Sequence, residues 1–319
     1  MRTAIIGVGV IGNVHREVLL EQKKNVVALC DVNVEKTKAF SDIPVYTDYR
    51  EMIEKERPDV VHICTPHYLH ADMVVYALER DIHVLCEKPL CIKTEDIARI
   101  LEAEEKSKAQ LGVCFQNRYK YCNTYVKEYL AGKEVKGAIG FVPWKRDADY
   151  YHSAAWRGTW SQEGGGVLIN QAIHTLDLLQ WMLGMPDFIT ASWSNLVLKE
   201  AIEVEDTITL AASGNSRFTL FATNGLGVSF STEIKIKTDK DVIRVCDNKV
   251  EINGENVYIE HNTKYHGKPC YGNGHGDLIA DFYECIETGR KFPIDGKEAA
   301  KAVRLVLAAY ASNGEAVKI

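Results

Sequence analysis

The chain of 319 residues predicts an α/β protein in two parts. Residues 1–118 read as a doubly wound, Rossmann-like domain with a parallel sheet. Residues 119–319 read as an α+β domain with a large, mostly antiparallel open sheet. Three observations carry this reading. Up to about residue 118, short continuous apolar runs alternate with amphipathic segments, as when helices cover both faces of a parallel sheet. Beyond Tyr119 the pattern turns to period-two alternation between turn residues. The length fits two domains at roughly 100–200 residues each.

In the first part, strands are expected at Thr3–Val8, Val26–Asp31, Asp59–Cys64, Ile82–Cys86 and Leu111–Phe115. Helical periodicity falls near Ile11–Gln22, Val34–Phe40, Tyr49–Glu56, Leu69–Arg80 and Thr94–Lys108. The second part opens with a helix near Tyr121–Ala131. It continues through a strand-rich stretch, a glycine run at Gly164–Gly166 and a helix to about Leu183. From Ser192 to about Glu260 the pattern is β-like, with Gly214-Asn215 and Asp247-Asn248 as hairpin turns and Ser229–Lys237 alternating strictly. Helices near His275–Thr288 and Lys297–Ser312 follow.

Composition narrows the function. Lys plus Arg number 38 against 44 Asp plus Glu, a net charge of −6 without a basic run, which argues against nucleic acid as a partner. The nine cysteines form no C-x-x-C pair and several sit in apolar runs, which suits a reducing cytoplasm. The apolar start lacks the charged n-region and cleavage site of a signal peptide, and no run approaches ~18 apolar residues, so neither export nor a membrane span is expected.

Gly7-Val8-Gly9-Val10-Ile11-Gly12 is a G-x-G-x-x-G stretch between a predicted strand and a predicted helix. Such a turn brings backbone N–H groups and the positive helix end to a pyrophosphate. Asp31 closes the second strand, where a carboxylate would accept both adenosine ribose hydroxyls and repel a 2′-phosphate. Its followers Val32 and Asn33 supply no cation, so NAD is preferred over NADP. In a doubly wound sheet the ligand lies beyond the carboxyl ends of the strands. Thr65-Pro66-His67, Glu87-Lys88-Pro89, Asn117 and Arg118 are all placed there, toward the nicotinamide half. Lys88, beside a cationic ring and partly desolvated, is expected to titrate low enough to share an alcohol proton, with Glu87 orienting it or a ribose hydroxyl. His67 and His70 stand one turn apart, but no carboxylate or cysteine set joins them, and no metal is expected.

A second group follows the glycine run. On a helical wheel Asn170, His174, Asp177 and Trp181 share a polar face, beside an apolar face of Ile169, Ile173, Leu176 and Leu183. The triple glycine would let another surface, or a ligand, approach the helix start. His174 suits proton transfer or donation to a substrate oxygen. Tyr150, Tyr151, His152, Trp156 and Arg157 precede the run and could line a sugar pocket. Tyr151, Trp156 and Arg157 are taken as substrate contacts, with Tyr271 a weaker one.

Together these stretches resemble the Gfo/Idh/MocA oxidoreductases. The matching pieces are Gly7–Gly12, Thr65-Pro66-His67-Tyr68-Leu69-His70, Glu87-Lys88-Pro89, Trp156-Arg157-Gly158, and the Gly164–Asp177 stretch. The resemblance implies a Rossmann domain, with Gly7, Gly9, Val10, Ile11, Gly12, Asp31, Thr65, His67, His70, Glu87, Lys88 and Asn117 around the cofactor. It implies an open sheet that joins subunits into a homodimer or homotetramer. It also implies hydride transfer between NAD(P) and a hydroxyl-bearing carbon of a sugar, cyclitol or sugar derivative, with Lys88 and His174 as the catalytic pair. Arg118, Asn170 and His174 would meet the substrate. The family often carries aspartate where Asn170 stands. Asn170 cannot take a proton, so it would orient substrate or His174. Glycoside cleavage through transient oxidation, and ligand sensing without catalysis, are the alternative activities. Retention of both Lys88 and His174 argues against the sensor.

Overall fold

The computed structural model describes residues 1–37, 42–259, 266, 272 and 274–319. It divides into two compact units: Met1–Tyr119 with Thr263–Ala300, and Lys120–Asn262 with Lys301–Ile319. The change of unit after Tyr119 lies one residue from the expected boundary. The stretch 263–300, expected in the second domain, belongs to the first unit instead.

The first unit holds a six-stranded parallel sheet. Its strands are β1 (Arg2–Ile6), β2 (Asn25–Cys30), β3 (Val45–Tyr46), β4 (Val60–Ile63), β5 (His83–Cys86) and β6 (Leu111–Val113), in the order β3-β2-β1-β4-β5-β6. The order reverses direction at β1, which creates the crevice where such sheets bind ligands. β4 is buried at every residue, so its continuous apolar run follows from helices on both faces. Helices α1 (Val10–Glu21), α2 (Tyr49–Glu56), α3 (His70–Leu78) and α4 (Thr94–Lys106) connect the strands. The short edge strand β3 had no sequence signal, being two residues long. The expected helix near Val34–Phe40 is a 3₁₀ turn over Val34–Thr37, and Phe40 lies outside the described residues.

The segment that returns to this unit carries the helix Gly274–Thr288, and its aromatic side chains explain the return. Tyr283, Phe282 and Phe292 are fully buried. A Cβ on Gly112 in β6 would come within 2.8 Å of the Phe282 ring, so glycine there admits the aromatic pair. The Tyr283 hydroxyl meets Thr3 Oγ1 of β1 at 2.7 Å. Helical periodicity marks an apolar face but does not say which core receives it.

The second unit is built on a nine-stranded sheet. In chain order its strands are β7 (Val135–Pro143), β8 (Phe188–Ser194), β9 (Thr207–Ser213), β10 (Phe218–Thr223), β11 (Glu233–Thr238), β12 (Val242–Cys246), β13 (Lys249–Ile252), β14 (Glu255–Ile259) and β15 (Val317–Lys318). All neighbours pair antiparallel except β7 with β10. Both expected hairpins form, with Asp247 at φ 53° in the tight β12–β13 turn. A third turn, Asn253-Gly254, has both residues at positive φ and joins β13 to β14. Helices α5 (Tyr121–Tyr129) and α6 (Ala148–His152) precede a π-helical turn over Leu168–Ala172, which runs into α7 (Ile173–Leu183). On one sheet face, a Cβ on Gly140 would strike Leu220, Thr175 and Leu179 within 3.1 Å, so α7 lies directly on β7. On the other face Ile139 is 56% exposed and Phe141 stacks on Phe221 with ring centres 5.3 Å apart.

Candidate functional site

In the first unit the strand ends form the rim that the motifs predict. Gly7 has φ 90°, and a Cβ there would lie 2.4 Å from the Cys64 carbonyl oxygen. A Cβ on Gly12 would lie 2.0 Å from the Gly7 oxygen. Both glycines are therefore required by packing at the turn. Gly9 differs: a Cβ there would meet nothing within 4 Å, and no side chain caps the start of α1 behind it. The open space, the uncapped helix start and the absence of acid in its first turn suit a pyrophosphate. Asp31 at the end of β2 is buried and accepts from the N–H groups of Val8 and Asn33, each at 2.9 Å. These residues fit a dinucleotide. One cation escaped the sequence reading: Lys36 Nζ lies 3.6 Å from Asp31 Oδ2, five residues on rather than adjacent.

The Glu87-Lys88 pair splits. Lys88 is half-buried at the rim, whereas Glu87 turns into the core with 5% of its surface exposed. Glu87 Oε1 lies 3.0 Å from His15 Nε2 and 3.7 Å from His275 Nε2, and Oε2 accepts from the Lys88 N–H at 3.2 Å. Burial alone would push this carboxyl up. The hydrogen bond from His15 and the nearby His275 imidazole outweigh it and hold Glu87 well below the usual carboxylate range. His15 Nδ1 faces His62 Nδ1 at 2.8 Å, and His62 Nε2 meets the Tyr283 hydroxyl at 3.1 Å. Glu87 was expected to hold Lys88 or a ribose hydroxyl through its side chain. Its oxygens instead anchor the turn from beneath.

Around that turn, His70 Nδ1 sits 2.7 Å from the Pro89 oxygen and Nε2 sits 2.9 Å from the Thr65 oxygen. His70 is fully buried and ties the loops after β4 and β5 together, and burial lowers its pKa. His67 is buried too, while Thr65 and Asn117 are half-buried. Arg118 is buried against Glu298 at 3.1 Å, which occupies the guanidinium expected to meet substrate. One atom each from His15, Glu87 and His275 lies within 4.8 Å of the others, the one such grouping among the described residues. Within it, the 3.0 Å spacing of His15 and Glu87 is that of an imidazole N–H donating to a carboxylate.

In the second unit the glycine run is closed by the chain's own atoms. A Cβ on Gly165 would lie 2.0 Å from the Tyr310 hydroxyl oxygen, and one on Gly166 1.9 Å from the Glu205 carbonyl oxygen. Of the two approaches expected there, another surface or a ligand, it is a surface of the chain itself, Tyr310 and the Glu205 backbone, that comes close. The Glu205 carboxylate accepts from Gly166 N–H at 2.7 Å, Leu168 N–H at 2.9 Å and the Tyr310 hydroxyl at 2.9 Å. Burial raises its pKa to about 7.

The π turn that follows presents Asn170 and, on α7, His174 as half-buried residues between buried neighbours. Such turns recur at functional sites because the extra residue re-aims side chains. Asp177, expected on the same face, is buried and accepts from Gln180 Nε2 at 3.1 Å. Trp181 meets Lys127, whose Nζ lies 5.5 Å from its ring centre. The Arg157 guanidinium lies over two aromatic rings, 4.4 Å from the centre of Tyr150 and 4.7 Å from that of Trp156. Its Nη1 donates to the Tyr150 hydroxyl at 2.5 Å, while its buried Nε has no partner among the described residues. Tyr151, expected in the pocket, packs with Ile202 and Val204 and accepts from Asn224 Nδ2 at 2.8 Å. It is Tyr150, not Tyr151, whose hydroxyl joins Arg157, Asn170 and Gln171. Tyr271 lies outside the described residues.

Two family models match the chain. The model described as the oxidoreductase family with an NAD-binding Rossmann fold covers residues 1–115, and the GFO/IDH/MocA C-terminal domain covers residues 132–260. The protein belongs to the Gfo/Idh/MocA family of NAD-binding oxidoreductases. It is 25% identical to the WlbA dehydrogenase of Bordetella pertussis, solved with NADH and UDP-GlcNAcA. That match has a TM-score of 0.87 and covers 100% of this chain and 98% of that one. The uncharacterized oxidoreductase YrbE of Bacillus subtilis is 23% identical over 332 residues, 97% of this chain and 93% of its own. Inositol 2-dehydrogenase of Salmonella typhimurium is 29% identical over 193 residues, 57% of this chain and 54% of its own, so this match spans about half of that relative. No described helix is long and apolar enough to cross a membrane.

Proposed function

We propose that the protein uses NAD to transfer a hydride to or from a hydroxyl-bearing carbon of a sugar, cyclitol or sugar derivative. The observation that carries the substrate class is the second unit's polar group. The Arg157 guanidinium lies over the rings of Tyr150 and Trp156 with a buried, unpartnered Nε, near half-buried Asn170 on the π turn. Aromatic faces suit the apolar face of a sugar ring, and a fixed guanidinium suits a carboxylate or phosphate on it. The full-length likeness to WlbA supports sugars that carry such anionic groups.

Bound NAD supplies the hydride acceptor. Lys88, half-buried at the strand-end rim, takes the alcohol proton, and His174 donates to or takes a proton from a substrate oxygen. Glu87 and His70 position the Lys88 turn rather than touching the reactants. Asp31 supports NAD as the preferred dinucleotide, although Lys36 offers a 2′-phosphate one nearby cation. Exposed Ile139 and the Phe141–Phe221 stack on the outer face of the nine-stranded sheet support pairing with a second copy of the chain.

The test is NADH formation from NAD with UDP-linked uronic sugars, free sugars, glycosides and myo-inositol, alongside equilibrium binding of NADH and NADPH. NADH production with one of these classes is expected. Release of an aglycone without net NADH would replace the reading by glycoside cleavage, and no turnover on any class would overturn it. Tighter binding of NADPH would overturn the choice of cofactor.

A further inference from the structure

We propose that Glu163 sets the direction of the Asn170 amide, so that Asn170 offers the substrate a carbonyl oxygen rather than an amino group. The proposal rests on the reading of this helix as the substrate face, and it adds a positioning residue that sequence patterns did not single out.

Glu163 is fully buried, immediately before the glycine run. One carboxylate oxygen accepts from the N–H of Gly158 and the other from Asn170 Nδ2. Its own backbone N–H donates to the Thr159 oxygen at 3.0 Å. Gly158 cannot shift easily to release it: φ is 72°, and a Cβ there would lie 2.6 Å from Ile202. A carboxylate only accepts hydrogen bonds, so the amide edge that faces Glu163 must be the NH₂. The amide is planar, and Oδ1 therefore points away from Glu163. Tyr150, whose hydroxyl is 3.4 Å from Asn170 Nδ2, lies on the same NH₂ side. Asn170 thus presents an acceptor for a substrate hydroxyl while the negative charge stays beneath it on Glu163.

The logic makes the two positions interchangeable only as a pair. In Glu163→Gln, the new side chain must keep its oxygen toward the Gly158 N–H, so its NH₂ meets the NH₂ of Asn170. Asn170 then has to flip and offers the substrate a donor. In Asn170→Asp, two carboxylates share one contact and cannot both be ionised. In the double variant, a glutamine at 163 donates to an aspartate at 170 and still accepts from Gly158, so both of these bonds are restored. The other ionisable groups around the pair are Tyr150, Tyr151, Arg157, Glu205, Tyr310 and, one turn along, His174.

The experiment is thermal unfolding from pH 5 to 9, with kcat and KM, for wild type, both single variants and the double variant. The kinetic arm uses whichever alcohol of the panel above gives the fastest NADH formation. Asn170→Asp should lose Tm as pH rises through neutrality, and the added Glu163→Gln should abolish that loss. In kinetics each single variant should lose ~10–100-fold in kcat/KM, with the double variant within about fivefold of wild type. A pH-independent Tm for Asn170→Asp, or a double variant no better than the worse single, would overturn the proposal. The unfolding arm needs no substrate. A failed panel would therefore overturn the proposed function while leaving the Glu163–Asn170 contact decided by the Tm data.

Discussion

The two units hold their functional groups by different means. At the strand ends of the first unit, the backbone itself shapes the glycine turn, while Glu87 and His70 brace the Lys88 turn from beneath. Gly7 and Gly12 fix the turn by steric necessity, the open space at Gly9 faces the uncapped helix start, and Lys88 follows directly from a buried strand. In the second unit, two buried carboxylates from distant points in the chain hold a glycine turn and an amide in place. Glu205 grips Gly166 and Leu168, and Glu163 grips Gly158 and Asn170. Backbone positioning tolerates loss of a rim side chain without moving the rest. Carboxylate positioning couples the site to proton occupancy and to several residues at once.

The largest expected effect tests the first half of that contrast. Lys88→Ala should cut kcat by ~10²–10⁴-fold, the range for loss of a general acid–base group, while NADH affinity changes less than about threefold. Fluorescence titration with NADH beside steady-state rates separates the two. A comparable loss of NADH binding would mean that the Lys88 side chain itself shapes the turn.

Glu205 tests the second half. Its pKa in the folded protein is about 7, above the ordinary 4.5, because burial disfavours the charge. The folded state therefore holds this proton more tightly than the unfolded chain. Stability from this group is fully present below about pH 4.5 and is lost as pH rises through about 7. Relative to Glu205→Gln, wild type should gain stability on acidification from pH 8 to 5, by at most on the order of 3 kcal/mol. Parallel denaturant titrations at the two pH values measure it. A constant difference between the proteins would show that the carboxylate stays charged throughout, held by its three donors.

The difference in mechanism also explains what could be read from sequence. Strand-end placement follows from alternation of elements, so the positions of Asp31 and Lys88 at the ends of β2 and β5 could be read from spacing. Lys36 was missed because only adjacent residues were considered, while the 3₁₀ turn at Val34–Thr37 carries it back to Asp31. The inward turn of Glu87 depends on His15, His62 and His275, which come from three separate elements and share no local pattern. The wheel that put Asn170, His174 and Asp177 on one face assumed regular α-helix throughout. The π turn at Leu168–Ala172 shifts Asn170 against α7, while Asp177, three residues after His174 on α7 itself, is buried. Glu163 was visible in the stretch Gln162-Glu163-Gly164, yet nothing local distinguishes a buried acid from a solvated one.

A smaller effect concerns assembly. The outer sheet face exposes Ile139 and the Phe141–Phe221 stack beside Glu233 and Lys235, a mixed surface of the kind that can pair with a second copy of the chain. Phe141→Asp should reduce the mass measured by light scattering to that of a smaller assembly, with Tm lowered by a few degrees. A mass unchanged from wild type would place the interface elsewhere.

The smallest expected effect sets two adjacent tyrosines against each other. Tyr150 and Tyr151 share α6, and their rings meet edge to face at 5.1 Å, yet they belong to different halves of the mechanism. Tyr150 gathers Arg157, Asn170 and Gln171 at its hydroxyl, so Tyr150→Phe should raise KM by several-fold. Tyr151 is a core residue whose hydroxyl accepts one bond from buried Asn224. Asn224 Nδ2 also donates to Gln171 Oε1 at 3.0 Å, so losing the tyrosine oxygen leaves that NH₂ with a remaining partner. Tyr151→Phe should therefore cost only about 1 kcal/mol of stability, read by denaturant unfolding, and leave kcat and KM within twofold of wild type. A several-fold rise in KM for Tyr151→Phe would mean that the Asn224–Gln171 pair transmits its position to Tyr150. The core and the site of the second unit would then act as one network rather than as neighbours.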